Sequence, residues 1–291
     1  MGLSERHYPI LVTGANGLLG RALGPHLVSG APGAGAVRLT DIKDLDVTDA
    51  RAVAAAVRDL KPRTIFHLAA WTNVDGAESH PHEAQLLNVS AATGVARAAV
   101  AADALVVHMS TDFVFDGTKP GLYVEDDPPS PLGVYARTKA ESEVAVRAAA
   151  PDHHLIVRTA WLYGMGGHGF VKAILAAAQR GGPLRVVTDQ IGCPTWSEDV
   201  ARALVALVEA EARGTFHACG RGEASRRDQA CEVLAAAGLS VAVEPIASSE
   251  MRRPARRPQR AVLSCEKLAR ATGFRFPPWQ ESIRTYVASL T

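Results

Sequence analysis

Through the first half of the chain, short β-branched and apolar runs alternate with longer Ala-rich stretches whose apolar positions recur at helical spacing. That alternation predicts parallel strands joined by crossover helices. The strands fall at 9–13, 37–40, 64–68, 105–109 and 155–158, and the helices at 18–28, 50–60, 82–101 and 134–149. Thr48 or Asp49 can cap the helix at 50–60, a side-chain oxygen accepting one of its free amides. After Gly164 the regularity is lost. A glycine cluster precedes a helix at 170–179, a strand at 184–187, a helix at 198–210 and strands at 214–218 and 241–243. An Arg/Pro-rich loop at 251–260 then leads to two terminal helices. The expectation is an α/β fold, a doubly wound parallel sheet with a smaller C-terminal α/β lobe. Residues 1–163 form the first unit, with 189–218 returning to it, and 164–188 with 219–291 form the lobe.

Composition narrows the chemistry. The chain has 291 residues, a formal charge of +1 and 47% hydrophobic residues. A dedicated nucleic-acid or membrane-surface binder would carry a basic face, which this balance does not suggest. Cys193, Cys219, Cys231 and Cys265 lack CxxC spacing, and His80, His82, His153 and His154 lack partners at ligand spacing, so the expectation is reduced cysteines and no metal site. Polar residues Glu5, Arg6 and His7 open the chain, and the apolar stretch at 91–107 is interrupted by Arg97 and Asp103, so a cytoplasmic protein without a membrane segment is expected.

The strand ending at Thr13 runs into Gly14, Gly17 and Gly20, and a helix follows at once. Glycines at such a turn let backbone approach a diphosphate, and the amides of the next helix attract the anion. Asp41 ends the second strand about 20 residues later, where a carboxylate receives the ribose hydroxyls of a dinucleotide. Strand, glycines, helix and acid in this order predict a Rossmann-type NAD(P)-binding sheet. The Asp41 carboxylate repels a 2′-phosphate and tilts the choice mildly toward NADH over NADPH, while Arg38 and Lys43 soften that repulsion.

Tyr135 and Lys139 stand one helical turn apart, so both project from one face. A phenol with a pKa near ~10 needs a neighbouring cation to exchange protons near neutrality. Lys139 can supply that charge and also hold the nicotinamide ribose. The fourth strand delivers Ser110, Thr111 and Asp112 to the carboxyl edge of the sheet, where a hydroxyl can share a substrate oxygen with Tyr135.

With these motifs in this order, the chain resembles the extended short-chain dehydrogenase/reductases that act on nucleotide sugars, and within them the dTDP-4-dehydrorhamnose reductase family. The resemblance rests on TGANGLLG at 13–20, LDVTD at 45–49, HLAAWTNVDGAE at 67–78, STDFVFDG at 110–117, YARTK at 135–139, RTAWLYG at 158–164, GCPT at 192–195 and ARRP at 255–258. It implies Tyr135 as general acid, Lys139 as its support and Thr111 as the hydroxyl that positions a sugar carbonyl. It also implies cofactor contacts from Gly14, Asn16, Gly17, Leu18, Gly20, Asp41, Asp46, Val47, Ala69 and Ala70. Thr72, Val74, Ser110, Asp112, Phe113, Trp161 and Arg257 would face the substrate, Arg257 its nucleotide or diphosphate. The implied reaction reduces the C4 ketone of a dTDP-4-keto-6-deoxy sugar with NADH or NADPH, in a monomer or homodimer. Magnesium occurs in some relatives, and no residue of this chain is assigned to it. Ala136, Phe113 and Trp71 depart from the commonest family pattern and leave the exact sugar open. Two alternatives share the fold: a nucleotide-sugar epimerase or dehydratase, and a non-catalytic NADP-binding regulatory subunit similar to that of methionine adenosyltransferase. A dehydratase commonly carries an Asp-Glu pair after the strand-end Thr, and here Phe113 follows Asp112.

Overall fold

The computed structural model describes residues 2–167 and 169–290. In chain order its strands are β1 (Ile10–Thr13), β2 (Val37–Thr40), β3 (Thr64–His67), β4 (Leu105–Thr111), β5 (His154–Thr159) and β6 (Leu162–Tyr163). They continue with β7 (Leu184–Val187), β8 (Ile191–Gly192), β9 (Thr195–Trp196), β10 (Gly214–His217), β11 (Ala224–Ser225) and β12 (Val243–Ile246). The helices are α1 (Leu18–Ser29), α2 (Ala50–Leu60), α3 (Val74–Ser79), α4 (Pro81–Gln85), α5 (Ala92–Ala101) and α6 (Val134–Ala149). After them come α7 (Phe170–Gln179), α8 (Ser197–Glu209), α9 (Arg226–Ala236), α10 (Glu266–Thr272) and α11 (Trp279–Ala288).

Six strands form one parallel sheet in the order β10-β5-β4-β3-β1-β2. Helices cover both faces, so central strands are buried on both sides and read as largely apolar runs. Alternate residues of one strand serve opposite layers. Ile10 and Val12 pack with Leu23 and Leu27 of α1 and Val200 and Leu204 of α8. Leu11, between them, packs with Val53 of α2, Val95 of α5 and Val146 of α6. Chain order reverses between β1 and β3, and at such a switch point the loops leaving the carboxyl ends part to form a crevice.

The segment after β9 returns to this sheet, where α8 lies against α1 and β10 pairs with β5. A separate apolar cluster joins α7, β7, α9 and α11 through Ile174, Val186, Val233 and Ile283. No helix among the described residues is long and apolar enough to cross a membrane.

Several expected elements shift. Asp49, rather than Thr48, caps α2, its Oδ1 accepting the Arg51 and Ala52 amides at 2.8 and 3.1 Å. The helix expected at 82–101 begins at Pro81 and carries a π turn at Leu86–Ala91. α3 and α9 are additions to the expected list, and the strand expected at 241–243 is β12, two residues later. All four cysteines are free, and Cys231 and Cys265 are only partly buried.

Candidate active site

At the carboxyl ends of the sheet strands lies a cavity of about 920 Å³, and every residue that the sequence assigns to cofactor or substrate lines it. One end is built by the β1–α1 turn. Gly14 has φ +71°, and a Cβ there would lie 2.7 Å from the Ala69 amide nitrogen, so only glycine lets β1 and β3 approach so closely. A Cβ on Gly20 would sit 2.5 Å from the Ala15 carbonyl oxygen. Gly17 caps α1 without a side-chain oxygen, which leaves the first amides of the helix for an anion from outside the chain. Asp41 accepts the Asn16 amide at 2.9 Å and the Ile42 amide at 2.8 Å, tying the end of β2 to the glycine turn. Asp46 closes the next turn by accepting the Thr48 amide and hydroxyl. A turn without side chains, open helix amides and a carboxylate at the β2 end fit a dinucleotide.

The chemistry-bearing end is built by β4 and α6. β4 carries Ser110 and Thr111 as its last residues, two positions beyond the expected strand end. α6 presents Tyr135 and Lys139 into the cavity, and its first turn is fixed by Glu78, whose Oε1 accepts the Val134 amide at 2.8 Å. A Cβ on Gly133 would lie 2.6 Å from that same oxygen, so a side chain there would displace the Glu78 carboxylate. Burial pushes the Tyr135 phenol up to about 12, while a hydrogen bond with Thr111 pulls it down. The edge of one of the Phe113 and Tyr135 rings meets the face of the other, with centroids 5.6 Å apart. Burial lowers Lys139 to about 8 against the pull of Glu143. Its Nζ lies 3.5 Å from His108 Nε2.

Sequence reasoning missed Asn88, in the π turn. Its Oδ1 accepts the Trp71 amide at 2.8 Å, and its Nδ2 donates to the Thr138 hydroxyl at 2.9 Å, so one buried side chain joins the loop after β3 to α6. A lone asparagine inside an Ala-rich helical stretch was the available signal.

Five further side chains line the rest of the cavity. Ser110 lines the cavity, yet its hydroxyl donates to Glu143 Oε1 at 2.6 Å. Asp112 Oδ1 accepts the Thr111 hydroxyl at 2.9 Å, whereas Oδ2 is buried without a hydrogen-bond partner among the described residues. Burial raises Asp112 to about 7. Trp161 holds φ +45°, a left-handed conformation uncommon for an aromatic residue, and its indole occupies the space a Cβ on Gly192 would need, with Cε2 2.5 Å away. Arg257 forks onto Asp75 at 3.1 and 2.9 Å, and Arg253 joins the same carboxylate at 3.2 Å. The Arg257 bond, with further bonds around it, holds Asp75 down at about 2. Arg226, unassigned in the sequence reading, also lines the cavity. Among the described residues no group of three or more His, Cys, Asp or Glu side chains is placed to hold a metal ion.

Comparison with known proteins gives a consistent set of relatives. A family model described as the RmlD substrate binding domain matches residues 8–291. A dTDP-4-dehydrorhamnose reductase of Sinorhizobium fredii is 42% identical over 258 residues, 85% of this chain and 87% of that protein. A solved dTDP-4-dehydrorhamnose reductase from Clostridium acetobutylicum superposes with a TM-score of 0.92 at 38% identity, covering 97% of this chain and 99% of that one. Another, from Bacillus anthracis in complex with NADP, gives 0.91 at 32% identity over 96% and 98% of the two chains.

Proposed function

Because the chain belongs to the RmlD substrate binding domain family, we propose that it reduces the C4 ketone of a dTDP-4-keto-6-deoxy sugar, dTDP-4-dehydro-L-rhamnose or a close relative, with Tyr135 as proton donor. The observation that carries this reading is the convergence of Thr111, Tyr135 and Lys139 on the cavity that the glycine turn also lines. A reduced nicotinamide, when bound, supplies the hydride. The glycine turn and the open α1 amides hold its diphosphate, Lys139 its nicotinamide ribose and Asp41 its adenosine ribose. Asp41 tilts that choice mildly toward NADH, although the Bacillus anthracis relative holds NADP. Residues 1–163 with 189–218 carry the cofactor, and 164–188 with 219–291 face the nucleotide sugar.

Tyr135 directs its hydroxyl at the ketone oxygen, and the Thr111 hydroxyl, which in the structure donates to Asp112 Oδ1 at 2.9 Å, exchanges that partner for the same oxygen. As hydride reaches C4, the phenolic proton of Tyr135 passes to that oxygen, and the product is the alcohol. A phenol at about 12 keeps its proton through neutral pH, the protonation state that reduction requires. The phenolate left behind recovers a proton from solvent beside the charge of Lys139. Each turnover therefore consumes one reduced nicotinamide and one proton.

Tyr135→Phe is expected to lower kcat by about 10²–10⁴-fold with NADPH still bound, followed as the loss of reduced nicotinamide absorbance on a dTDP-4-keto sugar. Retention of most turnover removes Tyr135 from the role. Net consumption of the reduced cofactor by the wild type separates a reductase from an epimerase, a dehydratase or a non-catalytic subunit.

A further inference from the structure

Three arginines bear on the substrate side of the cavity, and their surroundings differ. Arg257 and Arg253 share the Asp75 carboxylate, and Arg257 Nη1 also donates to the Ala255 carbonyl at 2.9 Å. Their charge is answered within the chain. Arg226, the first residue of α9, has no carboxylate within ion-pair distance among the described residues, and its one hydrogen bond there runs to the neutral Gln229 at 3.2 Å. Its guanidinium carbon stands 3.4 Å from the centre of the Trp161 ring and 5.1 Å from that of Phe170. Those rings remove water from its planar faces and leave its N–H edge as the route to a partner. Burial lowers Arg226 to about 9, with Asp112 pulling upward and Arg257 and Arg253 pushing down. The guanidinium lines the same cavity as Asp112 and Arg257, senses the charge of both, and remains charged at neutral pH.

Partly enclosing a cation without a counter-ion costs free energy that a bound anion recovers, and a guanidinium fork matches phosphate oxygens in pairs. Resting on the proposed function, we infer that Arg226 grips the diphosphate of the nucleotide-sugar substrate, and that Arg257 instead anchors its own loop to α3 through Asp75. The diphosphate joins the sugar at C1, across the ring from C4. A guanidinium that lines the cavity together with Asp112 and Arg257 can meet that anion when the ketone meets Thr111 and Tyr135. Stacking on Trp161 fixes the fork, so the strained backbone at Trp161 serves both the sugar wall and the anion grip.

The test is calorimetric titration of the full-length wild type, Arg226→Gln and Arg226→Lys with dTDP, UDP, thymidine and NADPH. The expected result is that Arg226→Gln weakens whichever nucleoside diphosphate the wild type binds by about thirtyfold or more, the loss typical of removing one partner of an enclosed charged hydrogen-bonded pair. Thymidine and NADPH affinities stay unchanged, and intact NADPH binding shows that the variant folds. Arg226→Lys keeps charge without the fork and falls between the two, and it carries the same comparison should the Gln variant fail to fold. The inference is overturned by undiminished dTDP or UDP binding in the variants, by an equal loss for NADPH, or by a wild type that binds neither diphosphate. Turnover of the dTDP-4-keto sugar is measured separately. Its absence alongside Arg226-dependent binding rejects the proposed reaction while supporting the anion grip.

Discussion

Beneath the carboxyl edge of the sheet, Glu143 of α6 and Arg158 of β5 meet in a two-pronged ion pair, Nε to Oε1 at 2.8 Å and Nη2 to Oε2 at 2.7 Å. Ser110 and Arg147 add bonds to the same carboxylate, and Arg158 Nη1 reaches the Glu125 carbonyl at 3.2 Å. At the cavity, Asp112 is also withdrawn from water and the partly exposed Arg226 senses its charge, but among the described residues no bond joins them and Asp112 Oδ2 has no hydrogen-bond partner. Burial pushes both carboxyls up. Around Glu143 the Arg158 bonds overcome it and bring the group below its usual range, whereas Asp112 stays raised at about 7. Buried polar groups are ordinarily satisfied, so a complete network marks structure and an incomplete one, facing a cavity, marks a place where a ligand completes it.

The largest effect should come from breaking the complete pair. Arg158→Met leaves Glu143 buried and uncompensated, at an expected cost of about 3–5 kcal/mol, read as a lower midpoint in urea unfolding with the slope unchanged. Adding Glu143→Gln should return part of that loss. An Arg158→Met protein as stable as the wild type would contradict the structural role assigned to this pair.

A smaller effect, at most about 4 kcal/mol from a shift of about three pKa units, is expected from Asp112→Asn, and it depends on pH. Below about 4, the carboxyl is protonated in both folded and unfolded chains and carries no penalty. As pH rises toward about 7, the unfolded chain ionises first, so the wild type loses stability relative to the variant, and above that the gap is constant. The readout is the difference between the two proteins. Burial also lowers His67 and His217 to about 3, and those groups favour the folded state with rising pH in the same window. A difference that is flat from pH 4 to 7 would show that Asp112 is already compensated, and would erase the contrast with Glu143.

The same contrast separates what is legible in the sequence from what is not. β1, β3 and β4 announce themselves because burial on both faces demands short, largely apolar runs, and the glycine turn because Gly14 has no space for a Cβ. α9 hides because Gln229 sits on its buried face and a polar quartet opens it, although the Ser225 and Asp228 capping box was there to be read. β12 contains Pro245, which cannot donate to a ladder and argues against a strand. Arg257 drew the diphosphate because it stands in an arginine-rich loop. Only tertiary structure shows that Asp75, far away in sequence, already meets its charge while Arg226 is left without a carboxylate among the described residues.

Ser110 lies on the boundary between the two regions, so it gives the smallest and most discriminating test. From sequence its hydroxyl could share the substrate oxygen with Tyr135, and in the fold it lines the cavity while donating to Glu143. A hydroxyl has one proton, and a 2.6 Å bond to a buried carboxylate engaged by Arg158 holds it firmly. Ser110→Ala is therefore expected to cost about 1–3 kcal/mol of stability and to leave kcat and KM for the keto sugar close to wild type. Ser110→Thr keeps the donor and should recover part of the stability if the methyl group is accommodated. A Ser110→Ala protein with full stability and impaired kcat would place this hydroxyl on the substrate side, beside Thr111.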